Sequence, residues 1–382
     1  MNKKKEMNFN LNNFLLALSL PCDFKKKEYF DCSLNYSKRV AFIALNMGKQ
    51  LKLNPQEMSD LCSYSLVHSI GLFNNKIEDK NYLESSNEIS KKLPFLLENK
   101  DILLYQKEYF DGSGFFALKA NEIPRLAQIL SFSILLNESF DFANLDIEKR
   151  EDVISFIKEN SDILFDNELG EIFILLSKNS SFWLDLESEN DILYFIFGNL
   201  YDFTTIMTFE QILEITESIY NILNPNSNLL DLCSKACDNY SFEHKDKLTF
   251  LIAASLNNIG KACIPSSIID KKNSLSKNEY EIVKSYPYYT KKILSNIMGF
   301  NDIVSWAFKI QERVDSCGYP FGLGGKDLSF KDRVLAVLVA YDSLRNKKVY
   351  RDSYSHQSSI DILNGINGLD KAIIKDFENF FT

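Results

Sequence analysis

The chain has 382 residues, enough for two domains with separate cores, and its 45% hydrophobic and 25% charged residues are ordinary for a globular protein. A net charge of −9 excludes a nucleic-acid duplex as the main partner, since that binding is driven by clustered Lys and Arg, but leaves room for a local phosphate pocket. Seven cysteines, an odd number in a long chain without a convincing secretion signal, point to reduced thiols in the cytoplasm.

Lys3-Lys4-Lys5 followed by Phe14–Leu20 imitates a short signal peptide, but Asn8, Asn10, Asn12 and Asn13 interrupt it and no small-x-small cleavage site follows. Leu11, Phe14, Leu15 and Leu18 instead share one helical face and predict a domain-opening helix. Val40, Ile43, Ala44, Met47 and Leu51 keep the rhythm of a helix burying one face. Asn54-Pro55-Gln56-Glu57 then reads as cap, first-turn proline and capping acid of a helix that delivers His68 near its C-terminal end, with Gly71 placed to stop it. Residues 184 to 205 fit neither half and are read as the connector between domains at 1–183 and 206–382; being poor in Gly, Ser and Pro, they predict halves that pack together. A second opening helix follows, with Thr208 and Gln211 as its capping box. Cys233 and Cys237 lie four apart on one helical face, and with no second Cys or His pair nearby they read as buried thiols, not zinc ligands. No apolar run is long enough to cross a bilayer.

Two stretches repeat one theme in different letters. His68-Ser69-Ile70-Gly71 is followed by Asp111-Gly112-Ser113-Gly114, and Asn257-Asn258-Ile259-Gly260-Lys261 by Asp315-Ser316-Cys317-Gly318-Tyr319-Pro320. Between these come Asn121–Leu130 in the first half, and after them Lys331–Val337 running into Ala340–Leu344 in the second. In this order, twice over, the motifs resemble the HD-GYP branch of the HD phosphohydrolase family, with its HD-I-G-K, HHE-x-W-D-G-x-G-Y-P and A-R-I-L-A-V-A-D-A-Y-D elements. The resemblance covers nearly the whole chain and implies an all-α fold of two tandem HD-domain-like helical bundles. It also implies hydrolysis of a cyclic dinucleotide such as cyclic diguanylate by clustered ions, magnesium, manganese or iron, which activate a bridging water.

Most of the ligand letters of that family are missing. The opening histidine is Tyr36 in the first copy, and the HD pair is His68-Ser69 and then Asn257-Asn258. The HH pair is Gln106-Lys107 and Ile310-Gln311, and the late aspartate is Ile134 and Val339. The histidine that follows the HD pair has Ser86 and Tyr286 as its expected counterparts, the second copy reaching it through a longer loop. Lys107 places a cation where a divalent metal belongs, and only His68 of the three histidines sits at a ligand position. His68 reads either as a ligand or as a hydrogen-bonded core histidine. The surviving carboxylates Glu108, Asp111, Glu312 and Asp315 belong to the Asp-Gly turn, where Asp accepts local backbone bonds and Gly supplies positive φ.

The second copy keeps more of the remaining letters. Lys261 stands at the lysine of HD-I-G-K, Arg313 follows the turn glutamate, Tyr319 belongs to an unchanged Gly-Tyr-Pro and Arg333 stands at the arginine of A-R-I-L. By the resemblance the lysine and the A-R-I-L arginine lie near substrate phosphates; the alternative is that they are solvated or salt-bridged surface cations. The favoured expectation is a catalytically inactive signalling protein that needs no cofactor, engages a partner protein and binds a cyclic dinucleotide through the second copy. The alternatives are an active phosphodiesterase with an atypical magnesium site of Asn257, Asn258, Glu312 and Asp315, and a purely structural docking protein.

Overall fold

The computed structural model describes residues 6–98, 101–347 and 351–380, so the Lys3-Lys4-Lys5 run lies outside the described residues. The chain divides into two compact units, one from Asn10 to Thr204 and one from Thr205 onward that also includes residues 6–9.

The first unit is built from α1 (Leu11–Phe30), α2 (Tyr36–Gln50), α3 (Pro55–Val67), α4 (Lys80–Ser90), α5 (Arg125–Ser139), α6 (Ile147–Asn160), α7 (Asn167–Ser177), α8 (Ser180–Glu187) and α9 (Glu189–Asn199). Asn10 starts α1 by accepting the Asn13 N–H at 2.9 Å, and Asp31 ends it in the left-handed region at φ 50°. The predicted apolar face is present: Phe14, Leu15 and Leu18 are wholly buried. Around α2 the burial runs unbroken from Tyr36 to Leu45, because α1, α3, α5, α7 and α9 all pack on it. Each fully buried Leu, Ile, Val or Phe contributes about 1.5–3 kcal/mol of hydrophobic stabilisation. The start of α3 is the expected capping box of Asn54 and Glu57 with Pro55 at the first turn.

Of residues 184 to 205, expected to be a connector, all but Thr205 are folded into this unit. Ile192 and Ile196, one turn apart in α9, are buried, and Phe195 meets the ring of Phe42 edge-on at 4.8 Å. A stretch whose overall composition fits neither motif set still presents an i, i+4 apolar pair, and that pair is enough to dock a helix.

In the second unit, α10 (Phe209–Leu223) starts at the Thr208–Gln211 capping box and is followed by α11 (Leu229–Asn239), α12 (His244–Leu256), α13 (Ser266–Ile269), α14 (Lys277–Lys284), α15 (Tyr286–Leu294), α16 (Asn301–Ala307), α17 (Phe330–Arg345), α18 (His356–Gly365) and α19 (Lys371–Phe380). The helices α12 and α17 carry its core, with Phe250, Ala254, Leu335, Val337 and Tyr341 buried alongside Cys233 and Cys237, both free thiols. The described residues also include a two-stranded sheet, in which β1 (Glu6–Asn10) pairs with β2 (Thr204–Thr208). No helix among the described residues is long and apolar enough to cross a membrane.

Candidate functional site

In both units the turn after the HD-position helix is held by a glycine pressed against backbone. A Cβ on Gly71 would lie 2.5 Å from the Tyr82 carbonyl oxygen, and one on Gly260 would lie 2.1 Å from that of Tyr286. These glycines are therefore required by close approach, and α3 already ends at Val67, ahead of the Gly71 expected to stop it. The same contacts correct one expected correspondence. The Gly71 N–H donates to Ser86 Oγ at 3.1 Å and the Gly260 N–H to Thr290 Oγ1 at 3.2 Å, so Ser86 matches Thr290 and Tyr286 matches Tyr82.

The first unit brings its ligand positions together. The Tyr36 ring lies 5.5 Å from that of His68, and its hydroxyl donates to the Ile134 carbonyl at 3.5 Å. Gln106 Nε2 and the Tyr82 hydroxyl both donate to the His68 carbonyl, at 3.2 and 2.7 Å. His68 Nδ1 lies 2.8 Å from the Ser65 carbonyl, which only accepts, so Nδ1 carries the proton and Nε2 is left as a bare acceptor without a partner. Burial, reinforced by the Lys26 cation, pushes the imidazole pKa down to about 3. The ring is thus neutral, as a ligand must be, yet its charged neighbours are the cations Lys26 and Lys107 together with Glu138. Among the described residues no three His, Cys, Asp or Glu side chains gather as a cation-holding group. The residues present do not fit the divalent ions of an HD-type centre.

The second unit has no histidine at these positions. Asn257 donates its Nδ2 to the Ala254 carbonyl, a turn back in its own helix, and Asn258 donates to Asn224 Oδ1 at 3.3 Å. Glu312, the expected alternative ligand, is 1% exposed and uses one carboxylate oxygen for the Phe321 N–H and the other for the Leu323 N–H, both at 2.9 Å. Asp315 Oδ1 accepts the Cys317 N–H at 3.0 Å. The atypical magnesium set is thereby divided between helix and turn contacts. The first unit repeats this brace, with Glu108 accepting Phe116 and Leu118 N–H groups at 2.8 and 2.9 Å and Asp111 accepting that of Ser113 at 2.8 Å.

Arg333 is also spent structurally. Its guanidinium pairs with Asp370 at 2.7 Å, and Asp370 in turn accepts the Ala372 N–H at the head of α19. In the first unit Gln128 has lost this charge, and Arg125, one turn earlier, makes the same tie to Asp166 at 2.9 Å, at the head of α7. The arginine therefore pins the start of α7 in the first unit and of α19 in the second.

The other cations do gather. Lys261 Nζ lies 5.1 Å over the ring of Tyr286, and the Tyr286 hydroxyl accepts from Gln311 Nε2 at 2.8 Å. Arg313 donates to the Glu312 carbonyl at 2.8 Å and reaches Gln311 Oε1 at 3.4 Å. Burial pushes the Tyr319 hydroxyl up to about 12, and Tyr319 sits 6.4 Å from Tyr280, over whose ring Lys284 lies at 5.7 Å. Lys261, Arg313 and Tyr319 are half-buried.

A fold with these turns, braces and glycines defines a class that the comparisons identify. The family model for the HD domain matches residues 27–140 and 208–373, and the chain belongs to that family. Among its relatives are cyclic-dinucleotide phosphodiesterases: the 3′3′-cGAMP-specific phosphodiesterase 1 of Vibrio cholerae serotype O1 is 22% identical over 94% of this chain and 88% of its own. The cyclic di-GMP phosphodiesterase PdeB of Borreliella burgdorferi is 34% identical over 28% of each chain. A crystal structure of a cyclic GMP-AMP phosphodiesterase of Vibrio cholerae, V-cGAP3, superposes with a TM-score of 0.70 over 98% of this chain and 99% of that one; at 16% identity it shows the fold.

Proposed function

We propose that the chain is a non-hydrolysing receptor in cyclic-dinucleotide signalling, binding its ligand in the second unit and passing the signal to a partner protein. The observation that carries this reading is the gathering of Lys261, Arg313 and Tyr319 around Tyr286, which also holds Gln311, the residue at one position of the HH pair. A lysine supplies a mobile point charge to a phosphate and an arginine a planar fork. Half-buried tyrosines give the flat faces on which bases stack. Cyclic diguanylate and 3′3′-cGAMP, the substrates in the relatives' names, combine two phosphates with two purines and suit such a set. Without hydrolysis the bound state itself has to be read out, which is why the proposal includes a partner protein. Seven cysteines with no disulfide among them support a reducing, cytoplasmic setting.

The relatives' names favour a second reading, hydrolysis at an unorthodox metal site. Calorimetry of the full chain with each cyclic dinucleotide, paired with chromatography of the ligand after incubation with magnesium, manganese or iron(II), separates the two. The receptor reading expects saturable binding, weakened about tenfold or more in Lys261→Ala and Arg313→Ala, with the ligand recovered intact. Chelator-sensitive turnover would establish the hydrolytic reading, and no binding of either nucleotide would leave a docking protein.

A further inference from the structure

Four charged residues of the first unit have no part in the reading above. Lys26, from the last third of α1, is 1% exposed. Its Nζ reaches Glu78 Oε1 at 2.5 Å and Glu138 Oε1 at 2.7 Å. Lys107 bridges the same two carboxylates, at 2.9 Å to Glu78 Oε2 and 2.5 Å to Glu138 Oε1. Two cations and two anions thus alternate in a closed ring. They come from α1, the segment just before α4, the stretch ahead of the Asp111 turn and the last turn of α5.

The ring lies where the ligand positions converge. Lys107 is itself the residue at the second histidine of the HH pair, and Lys26 Nζ stands 5.1 Å from the ring of Tyr36, which faces His68. Burial works to raise the Glu138 pKa, yet Lys107 and Lys26 pull it down to about 2; burial likewise opposes the charge on Lys107, and Glu138 and Glu78 more than offset it. Bridging two carboxylates is the task a divalent ion performs in such a centre.

We propose that the ammonium groups of Lys26 and Lys107 replace the metal ions of the first unit's HD centre, so that this unit is held together by an internal ion-pair ring and has no room for a metal. The inference is independent of any ligand in the second unit. It makes the centre self-neutral, and it explains how the Lys26 ammonium, 1% exposed, is tolerated, since an unpaired buried charge is strongly destabilising.

The test uses the full chain with Trp306→Phe, so that Trp183 alone reports thermal unfolding of the first unit. Lys26→Met should lower the transition by roughly 6–12 °C, the loss expected when one partner of a buried ion pair is removed from a unit of this size. Lys26→Met combined with Glu138→Gln, which removes one charge of each sign, should recover at least about half of that loss, as double-mutant coupling requires. If the single variant does not fold, a cooperative transition regained by the pair counts as the same result. Treatment with a chelator, or added manganese, should leave the parent transition within about 1 °C, because linkage shifts a midpoint only where a ligand binds the native state. A chelator-induced drop in the parent, or a paired variant no more stable than the sum of its two singles predicts, would overturn the proposal.

Discussion

Replacing Glu312 by Gln asks whether this carboxylate is a metal ligand or a brace. Each of its oxygens accepts one backbone N–H of the Gly-Tyr-Pro loop at 2.9 Å, and the side chain is buried. Gln keeps the length but offers one oxygen and one NH2 group, so one loop N–H loses its acceptor and faces a donor. A hydrogen bond to a charged group is worth about 1.5–3 kcal/mol, and leaving a buried N–H unpaired costs a similar amount. The expected loss is about 2–4 kcal/mol, or roughly 5–15 °C in the melting of a unit of this size. The matching change in the first unit, Glu108→Gln, breaks bonds of 2.8 and 2.9 Å and should cost the same. Calorimetry of the full chain reads both, and elemental analysis of the same samples reads metal content. A Glu312→Gln protein that melts like the parent while losing a bound metal would refute the brace, because a ligand and a brace fail in opposite columns of that experiment.

Burial lowers the folded-state pKa of His68 from the ordinary 6.5 to about 3. The unfolded chain therefore takes up this proton first; the stabilisation is complete above pH 6.5 and fades as pH falls towards 3. Relative to His68→Gln, the parent should lose roughly 2 kcal/mol between pH 6.5 and 5, and equal urea midpoints for the two at both pH values would count against a neutral buried imidazole. Gly260→Ala would drive a Cβ to 2.1 Å from the Tyr286 carbonyl oxygen, and about 3 kcal/mol or more should be lost by the second unit, read by urea unfolding. Arg333→Ala removes a pair whose side chains are 33% and 16% exposed, so stability should fall by no more than about 1 kcal/mol and nucleotide affinity by less than about twofold. A tenfold affinity loss in that variant would return Arg333 to the binding surface.

What the sequence revealed depended on whether a residue's neighbours in space were also its neighbours in the chain. The capping boxes at Asn54 and Thr208 were legible because a cap is a local bond with fixed spacing, and the opening helices because their apolar faces repeat at helical period. Family letters supplied Glu108, Glu312 and Arg333, but letters carry position and not partner: Glu312 spends both oxygens on the loop and Arg333 is taken by Asp370. The docking of residues 184–204 was missed because two isoleucines in a charged and aromatic stretch outweigh its average composition.

Lys26 is the clearest limit. In the sequence it is the middle of Lys25-Lys26-Lys27, a run that reads as a solvated helix face, and Glu78 and Glu138 are unremarkable acids 52 and 112 residues away. Only Lys107 gave a signal, since it puts a cation at a ligand position, and one buried cation demands a partner. Pursued further, that demand points to the rest of the ring. Lys107 needs a buried anion; an anion placed there in the absence of a metal needs a second cation to balance it; and the turn of α1 that faces Tyr36 supplies one. The two units thus fill the same ligand positions in different ways. The first sets opposite charges in a ring beside them, whereas the second has amides and aromatic rings there, with Lys261 and Arg313 half-buried beside them. Half-buried cations beside aromatic faces can meet a phosphate, and that is why the proposed receptor reading places ligand recognition in the second unit.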